Sequence, residues 1–206
     1  MSQKLVIHPE NPQQRLILQA VKILQEGGVM VYPTDSAYAL GCSLDNKTGS
    51  ERIRTIPELD KHHHFTLICH DLSQLSTFAK VDNATFRILK AHTPGPYTFI
   101  LEATKEVPRR LLHPKRKTIG LRVPNHPIVR ALLSNLSEPI MSVTLIMPGE
   151  SEPLAGMEQI SEQLKKQVDL IIDSGPCTAK PTTVVDLTQQ PPQILRVGQG
   201  EISNFL

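Results

Sequence analysis

Lys117-Thr-Ile-Gly-Leu-Arg-Val123 alternates apolar and polar residues without a break. A strand repeats every two residues, so Ile119, Leu121 and Val123 face one side and Thr118, Gly120 and Arg122 face the other. The first face suits a core. The second offers a hydroxyl, a glycine and a guanidinium. A guanidinium inside a sheet needs an anionic or hydrogen-bonding partner, and a ligand's phosphate or carboxylate supplies one. Arg122 is therefore read as a ligand residue, with Gly120 beside it leaving room.

Outward from this strand, helical and extended patterns alternate along the chain. Asn11 and Pro12 suit a helix start, and Leu16, Ile17, Ala20, Val21 and Leu24 form one apolar helix face, stopped by Gly27-Gly28. Strands are expected at 29–33, 37–42, 65–69 and 97–101, and later at 140–145, 168–172, 183–187 and 193–196. Helices are expected at 46–56, 71–79, 83–92, 127–136 and 157–166. No composition break, repeat or low-complexity linker interrupts this order. The expectation is one α/β domain over residues 1–206, with its core at about 14–200 and a twisted mixed sheet. Gly198-Gln-Gly200 cannot be a dinucleotide fingerprint, because no helix can follow it.

Composition removes several functional classes. The 206 residues are 39% hydrophobic with a formal net charge of +2, which opposes disorder and gives no bulk electrostatic signal for nucleic acid. No tryptophan, three tyrosines and five phenylalanines are too few aromatics for a stacking platform for single strands. No run of 18 apolar residues suggests a membrane span, and the first fifteen residues lack a secretory apolar region. Cys42, Cys69 and Cys177 are odd in number and far apart, so a reduced, cytoplasmic protein is expected.

Four constellations could carry chemistry. Tyr32-Pro-Thr-Asp-Ser36 ends a strand in a bend that presents hydroxyls and backbone N–H groups, to a ligand or simply to its own loop. Between Lys105 and Arg130 eight lysines and arginines accompany one acid, Glu106. Arg109, Arg110, Lys115, Arg116 and Lys117 are the candidates there for RNA or other phosphates, a solvated loop being the alternative. Pro181-Thr-Thr-Val-Val-Asp186 with Arg196 on the next strand could form a phosphate clamp or ordinary β-structure. His62-His63-His64 invites a metal, but consecutive loop residues diverge and no carboxylate or cysteine has ligand spacing, so no protein-bound metal is expected.

Taken in order, these segments resemble the YrdC-like family, known for threonylcarbamoyl-AMP synthases in tRNA modification. The resemblance spans about Gln14 to Gly200. It rests on Gly27-Gly28, Tyr32-Pro-Thr34, Leu40-Gly41-Cys42, Pro94-Gly-Pro96 with Thr98, Thr118-Ile-Gly-Leu-Arg-Val-Pro124, Asp173-Ser-Gly-Pro-Cys177, Pro181-Thr-Thr-Val-Val-Asp186 and Leu195-Arg196 before Gly198. The stretches His64-Phe-Thr-Leu67 and Glu106-Val-Pro-Arg-Arg-Leu-Leu112 are similar to its YciO-like branch. The resemblance implies a concave, basic cavity for ATP, threonine and bicarbonate, with Mg2+ accompanying the ATP. Threonine is carboxylated on its amine, and the carbamate attacks the α-phosphate and releases pyrophosphate. Such chemistry depends on positioning and positive charge more than on a nucleophile.

Carried over by motif, Thr34 and Arg122 would bind the amino-acid substrate, while Thr118, Ser142, Thr182 and Arg196 would line the nucleotide. Two positions depart from the family pattern. Pro57-Glu-Leu-Asp60, followed by Lys61, stands where the synthases carry Lys-x-Arg, and Ser142-Val-Thr144 replaces Ser-x-Asn. Acids in place of cations oppose a triphosphate. The extra C-terminal domain of longer synthases is expected to be absent. The resemblance implies a nucleotide-binding protein related to these nucleotidyltransferases, with reduced synthase activity. The alternatives are an RNA-binding protein for tRNA, rRNA or duplex RNA without catalysis, and a sensor of AMP-like ligands.

Overall fold

The structure is a computed structural model and describes residues 2–56, 65–150, 152–178 and 180–205. In chain order the strands are β1 (Gln3–Val6), β2 (Met30–Tyr32), β3 (Ala39–Ser43), β4 (Thr66–Ile68), β5 (Tyr97–Glu102), β6 (Thr118–Arg122), β7 (Ile140–Thr144), β8 (Leu170–Asp173), β9 (Thr183–Asp186) and β10 (Gln193–Arg196). The helices are α1 (Gln14–Gln25), α2 (Lys47–Thr55), α3 (Leu72–Phe78), α4 (Asn83–His92), α5 (Pro127–Ser134) and α6 (Met157–Leu164). The strands form one mixed sheet ordered β1-β8-β2-β3-β7-β4-β6-β5-β9-β10.

Each face of the sheet has its own core. The larger core takes Ile119, Leu121 and Val123 of the deciding segment together with Ile53 of α2, Leu75 and Phe78 of α3, Leu89 of α4, and Ile160 and Leu164 of α6. The smaller core packs α1 and α5, through Ile17, Ala20, Leu24, Ile128, Val129 and Leu132, on Met30, Tyr32, Ile68, Ile140, Leu170 and Ile172. No residue of β5, β6 or β9 enters that second core. There the face carries Thr98, Thr118, Gly120 and Arg122 instead.

The connection from β8 to β9 dictates the curvature. These strands are seven positions apart in the sheet, about 34 Å if it were flat. Asp173 and Thr183 are ten Cα steps apart, at most about 33–36 Å of extended chain. The connection is not extended, because Gly175 turns with φ of 87°. The sheet therefore twists and curls, and the connection spans the curl like a chord.

Several boundaries differ from the sequence reading. Helix α1 begins at Gln14 rather than next to Asn11, because His8 Nδ1 accepts from the N–H groups of Glu10 and Asn11 and holds them in a turn. Strand β1, which no periodicity announced, pairs in parallel with β8 at the sheet edge. Asp71 and Asp82 cap α3 and α4, accepting from Gln74 N and Thr85 N. Gly120 leaves no gap. A Cβ there would lie 2.9 Å from Thr66 Oγ1 and 3.0 Å from the Phe65 carbonyl, so its role is close packing of β4, β5 and β6.

Candidate functional site

Arg122 ends β6 with only 5% of its surface exposed. Its Nη2 donates to the Asp35 carboxylate, to Ser36 Oγ at 3.0 Å and to Thr34 Oγ1 at 3.4 Å. Three strands separate β2 from β6 in the sheet, so curl rather than adjacency brings the 34–36 bend onto Arg122. The second Asp35 oxygen accepts from Asn125 N at 2.8 Å, fixing the bend to the chain entering α5. His126 caps that helix by accepting from Ile128 N through Nδ1. Burial pushes the His126 pKa below its usual value; the Asp35 carboxylate opposes this and the Arg122 charge adds to it.

Two polar groups of β6 are buried without a partner among the described residues, Arg122 Nε and Thr118 Oγ1. Both belong to the face turned away from the larger core. Buried polar groups are normally satisfied, so each marks a point where a ligand atom or water belongs.

Beside them sits a second guanidinium. Arg196 donates from Nε to the Thr182 carbonyl at 3.0 Å and from Nη2 to Thr182 Oγ1 at 3.1 Å. Thr182 Oγ1 also pairs with Thr98 Oγ1 at 2.9 Å. Burial lowers the Arg196 pKa, and the positive charge of Arg122 lowers it further. Thr182 and Arg196 are thus bonded to each other, and Arg196 lies close enough to Arg122 for the two charges to be felt.

The chord from β8 packs on Tyr38 and on the 34–36 bend. Tyr38 Oη donates to the Gly175 carbonyl at 2.6 Å and accepts from Ser174 N. Thr178 Oγ1 donates to the Ser36 carbonyl, and Cys177 Sγ lies 4.0 Å from the Thr34 carbonyl. The bend bearing Asp35 is therefore clamped between Arg122 on one side and residues 174–178 on the other.

Other expected site residues are committed elsewhere. Thr34 Oγ1 accepts from the N–H groups of Ser36 and Ala37 and donates to the Ala37 carbonyl, so its hydroxyl builds its own turn. Ser142 Oγ donates to the Leu40 carbonyl at 2.9 Å and receives the Tyr32 hydroxyl at 2.7 Å. Burial pushes that phenol up to about 12, so it stays a neutral donor. In the basic run, Arg110 Nη2 donates to the Leu44 carbonyl and Arg116 Nη2 to Asp186. Arg109, Lys115 and Lys117 are exposed in the β5–β6 connection, at the opposite end of β6 from Arg122.

Pro57-Asp60, Lys61 and His62-His63-His64 lie outside the described residues. Among the described residues no group of three His, Cys, Asp or Glu side chains could hold a metal ion, and no helix is long and apolar enough to cross a membrane. Sequence reasoning missed Asp35 as the partner of Arg122, and missed Asn125 and His126 altogether. A histidine just before Pro127, the first residue of α5, was the available signal.

A mixed α/β sheet thus brings Arg122, Arg196 and a set of hydroxyls near one another. A family model naming Sua5, YciO and YrdC, described as "Telomere recombination", matches residues 22–198, and the chain belongs to that family. It is 57% identical to the uncharacterized protein YciO of Escherichia coli K12 over the full length of both. The crystal structure of E. coli YciO superposes with a TM-score of 0.98, each chain fully covered. The threonylcarbamoyl-AMP synthase of Vibrio vulnificus is 32% identical over 157 residues, 75% of this chain and 83% of that one. P. abyssi Sua5 complexed with L-threonine aligns at 25% identity with a TM-score of 0.87, covering 96% of this chain and 58% of that one.

Proposed function

We propose that the chain binds an adenine nucleotide together with a small carboxylate-bearing ligand, L-threonine first among them, in the hollow lined by Thr118, Arg122, Thr182 and Arg196. The observation that carries this reading is the pair of unsatisfied buried donors, Arg122 Nε and Thr118 Oγ1, on the same strand face and beside a second guanidinium. Phosphate and carboxylate oxygens satisfy such donors. The Sua5 relative complexed with L-threonine supports the amino-acid half. Thr34 and Ser142 serve this reading as positioning groups, since their hydroxyls are already bonded. We place the protein in the cytoplasm with the synthases it resembles.

Synthase-type turnover of ATP, threonine and bicarbonate is expected to be slow. Glu58 and Asp60 replace the Lys-x-Arg pair, and losing one charge-assisted hydrogen bond costs about 1.5–3 kcal/mol. That is about ten- to a hundredfold in rate if the contact acts in the transition state. The described residues do not form a cage for Mg2+: both Asp35 oxygens are engaged by Arg122 and Asn125. No step is assigned to the ion.

Calorimetry with ATP, AMP and L-threonine on wild type and Arg122→Ala tests the binding reading, and equal affinities for both proteins would end it. Threonine-dependent pyrophosphate release should rise at least tenfold on combining Glu58→Lys with Asp60→Arg. RNA binding through residues 105–130 has less support, because Arg110 and Arg116 are tied to Leu44 and Asp186. If it occurs, replacing Arg109, Lys115 and Lys117 should weaken it and flatten its salt dependence.

A further inference from the structure

Strands β4 and β6 are parallel neighbours, with Thr66 opposite Gly120 and Ile68 opposite Arg122. The chain leaving them goes to opposite faces of the sheet. From β4 it enters α3, whose Leu75 and Phe78 join the larger core. From β6 it enters α5, whose Ile128, Val129 and Leu132 join the smaller one. Where two such connections part, an open α/β sheet leaves a crevice outside the carboxyl ends of its strands, and ligands bind there.

The crevice is present as a cavity of about 440 Å3 between the start of α3, the end of α4 and α5. That is the size of a small-molecule site. Its apolar walls are Leu72, Pro94, Val123, Pro124 and Leu133. Val123, Pro124 and Leu133 are buried, so the floor belongs to the packed core. Lys90 and Arg130 stand at the exposed rim. Lys90 has no ion pair or hydrogen bond among the described residues. Arg130 commits Nη2 to Asn125 Oδ1 at 3.2 Å and leaves the rest of its fork unpaired among those residues. The other titratable groups of the rim are engaged. Asp71 accepts from Gln74 N and meets His70 Nδ1, and His70 Nε2 pairs with Ser134 Oγ.

We infer that this crevice is a second ligand site, which takes a small carboxylate with an apolar body. The apolar part lies on the leucine, valine and proline floor. The carboxylate meets Lys90 and Arg130, which offer a point charge and a planar fork. An inorganic anion would leave the floor uncovered, and a neutral apolar molecule would leave both cations without a counter-charge. The site shares no side chain with the hollow of Thr118, Arg122, Thr182 and Arg196, so it stands or falls apart from the nucleotide reading.

Full-length protein carrying 13C-methyl leucine, valine and threonine separates the two places by magnetic resonance. Leu72, Val123 and Leu133 report on the crevice, and Thr118 and Thr182 on the hollow. Hexanoate at millimolar concentration should move the crevice methyls saturably. It should bind at least fivefold more tightly than hexanamide, its neutral isostere. Inorganic phosphate should leave those methyls in place. Combining Lys90→Ala with Arg130→Ala should weaken hexanoate at least fivefold and leave hexanamide unchanged. Both residues are exposed, so the variant should fold, and the wild-type comparison of acid with amide decides even if it does not.

The inference is overturned by any of four results: no saturable shift in the crevice, shifts confined to Thr118 and Thr182, equal affinity for acid and amide, or phosphate binding as tightly as hexanoate. Hexanoate affinity that is unchanged in the double variant would overturn it as well.

Discussion

Arg116 in the β5–β6 connection donates to the Asp186 carboxylate at the end of β9 across 2.5 Å, with only 1% of the Asp186 side chain exposed. The arginine also reaches Thr188 Oγ1, which donates in turn to Asp186. Burial pushes the Asp186 pKa up. The bonds from Thr188 and Arg116 outweigh it and hold the carboxyl below its usual range. A carboxylate with a lowered folded pKa contributes stability above its unfolded value, and that stability is lost as pH falls through the folded value.

Arg116→Ala should therefore move the onset of acid unfolding to higher pH, followed by circular dichroism from pH 6 downward. At neutral pH it should cost about 1–3 kcal/mol, the loss of one bond to a buried charged acceptor, reduced by water on the open side of the arginine. An unchanged acid limb would mean that Thr188 alone holds the carboxylate.

Gly120→Ala should destabilise the sheet centre rather than the hollow alone. The added methyl would press on Thr66 Oγ1, on the Phe65 carbonyl and on Thr98 Cγ2 at 3.3 Å. Backbone in a central strand cannot move aside, so urea unfolding should show a loss of about 1–3 kcal/mol. A neutral result would require β4 and β6 to shift apart.

His126 gives the fold a pH dependence near neutrality. Its folded pKa lies below the unfolded value of about 6.5, chiefly through burial. The unfolded chain binds the extra proton, so stability is full above that value and declines as pH falls below it. Urea midpoints should drop between about pH 7.5 and pH 5.5, and His126→Gln should flatten that slope. A slope unchanged by the substitution would place the effect on another group.

Cys177 should be a slow thiol despite being half-exposed. Burial pushes its pKa from 9.0 up to about 11, against the opposing bonds to Thr34 and Tyr38. At pH 8 its thiolate population, and hence its alkylation by iodoacetamide, should be about a hundredfold below that of the unfolded chain. Mass spectrometry after timed quenching reads this directly. Faster labelling would show that the segment around Gly175 leaves the 34–37 bend.

Local chemistry made much of the fold legible. The alternation of 118–122 and the helix over Asn83–His92 depend on neighbours within a few positions, and the structure follows them. Strand β1 is four residues at an edge, and nothing in its sequence says that β8 waits for it. The site was legible in its parts and illegible in its pairings. Arg122 and Asp35 are 87 positions apart and meet only because the sheet curls. Arg116 read as a free cation because Asp186, 70 positions away, carries no local mark of its partner.

The chord between β8 and β9 also sets the order in which the molecule can be finished. Strand β8 inserts between β1 and β2, while β9 and β10 attach beyond β5 at the other margin. A ribosome-bound chain that has emerged only as far as β7 holds Arg122 and Asp35 but neither Thr182 nor Arg196. These late, long-range pairings are the slow part of assembly. The pairing of Arg122 with Arg196 is therefore completed only in the last steps of biosynthesis, and a chain stalled short of β10 would lack it.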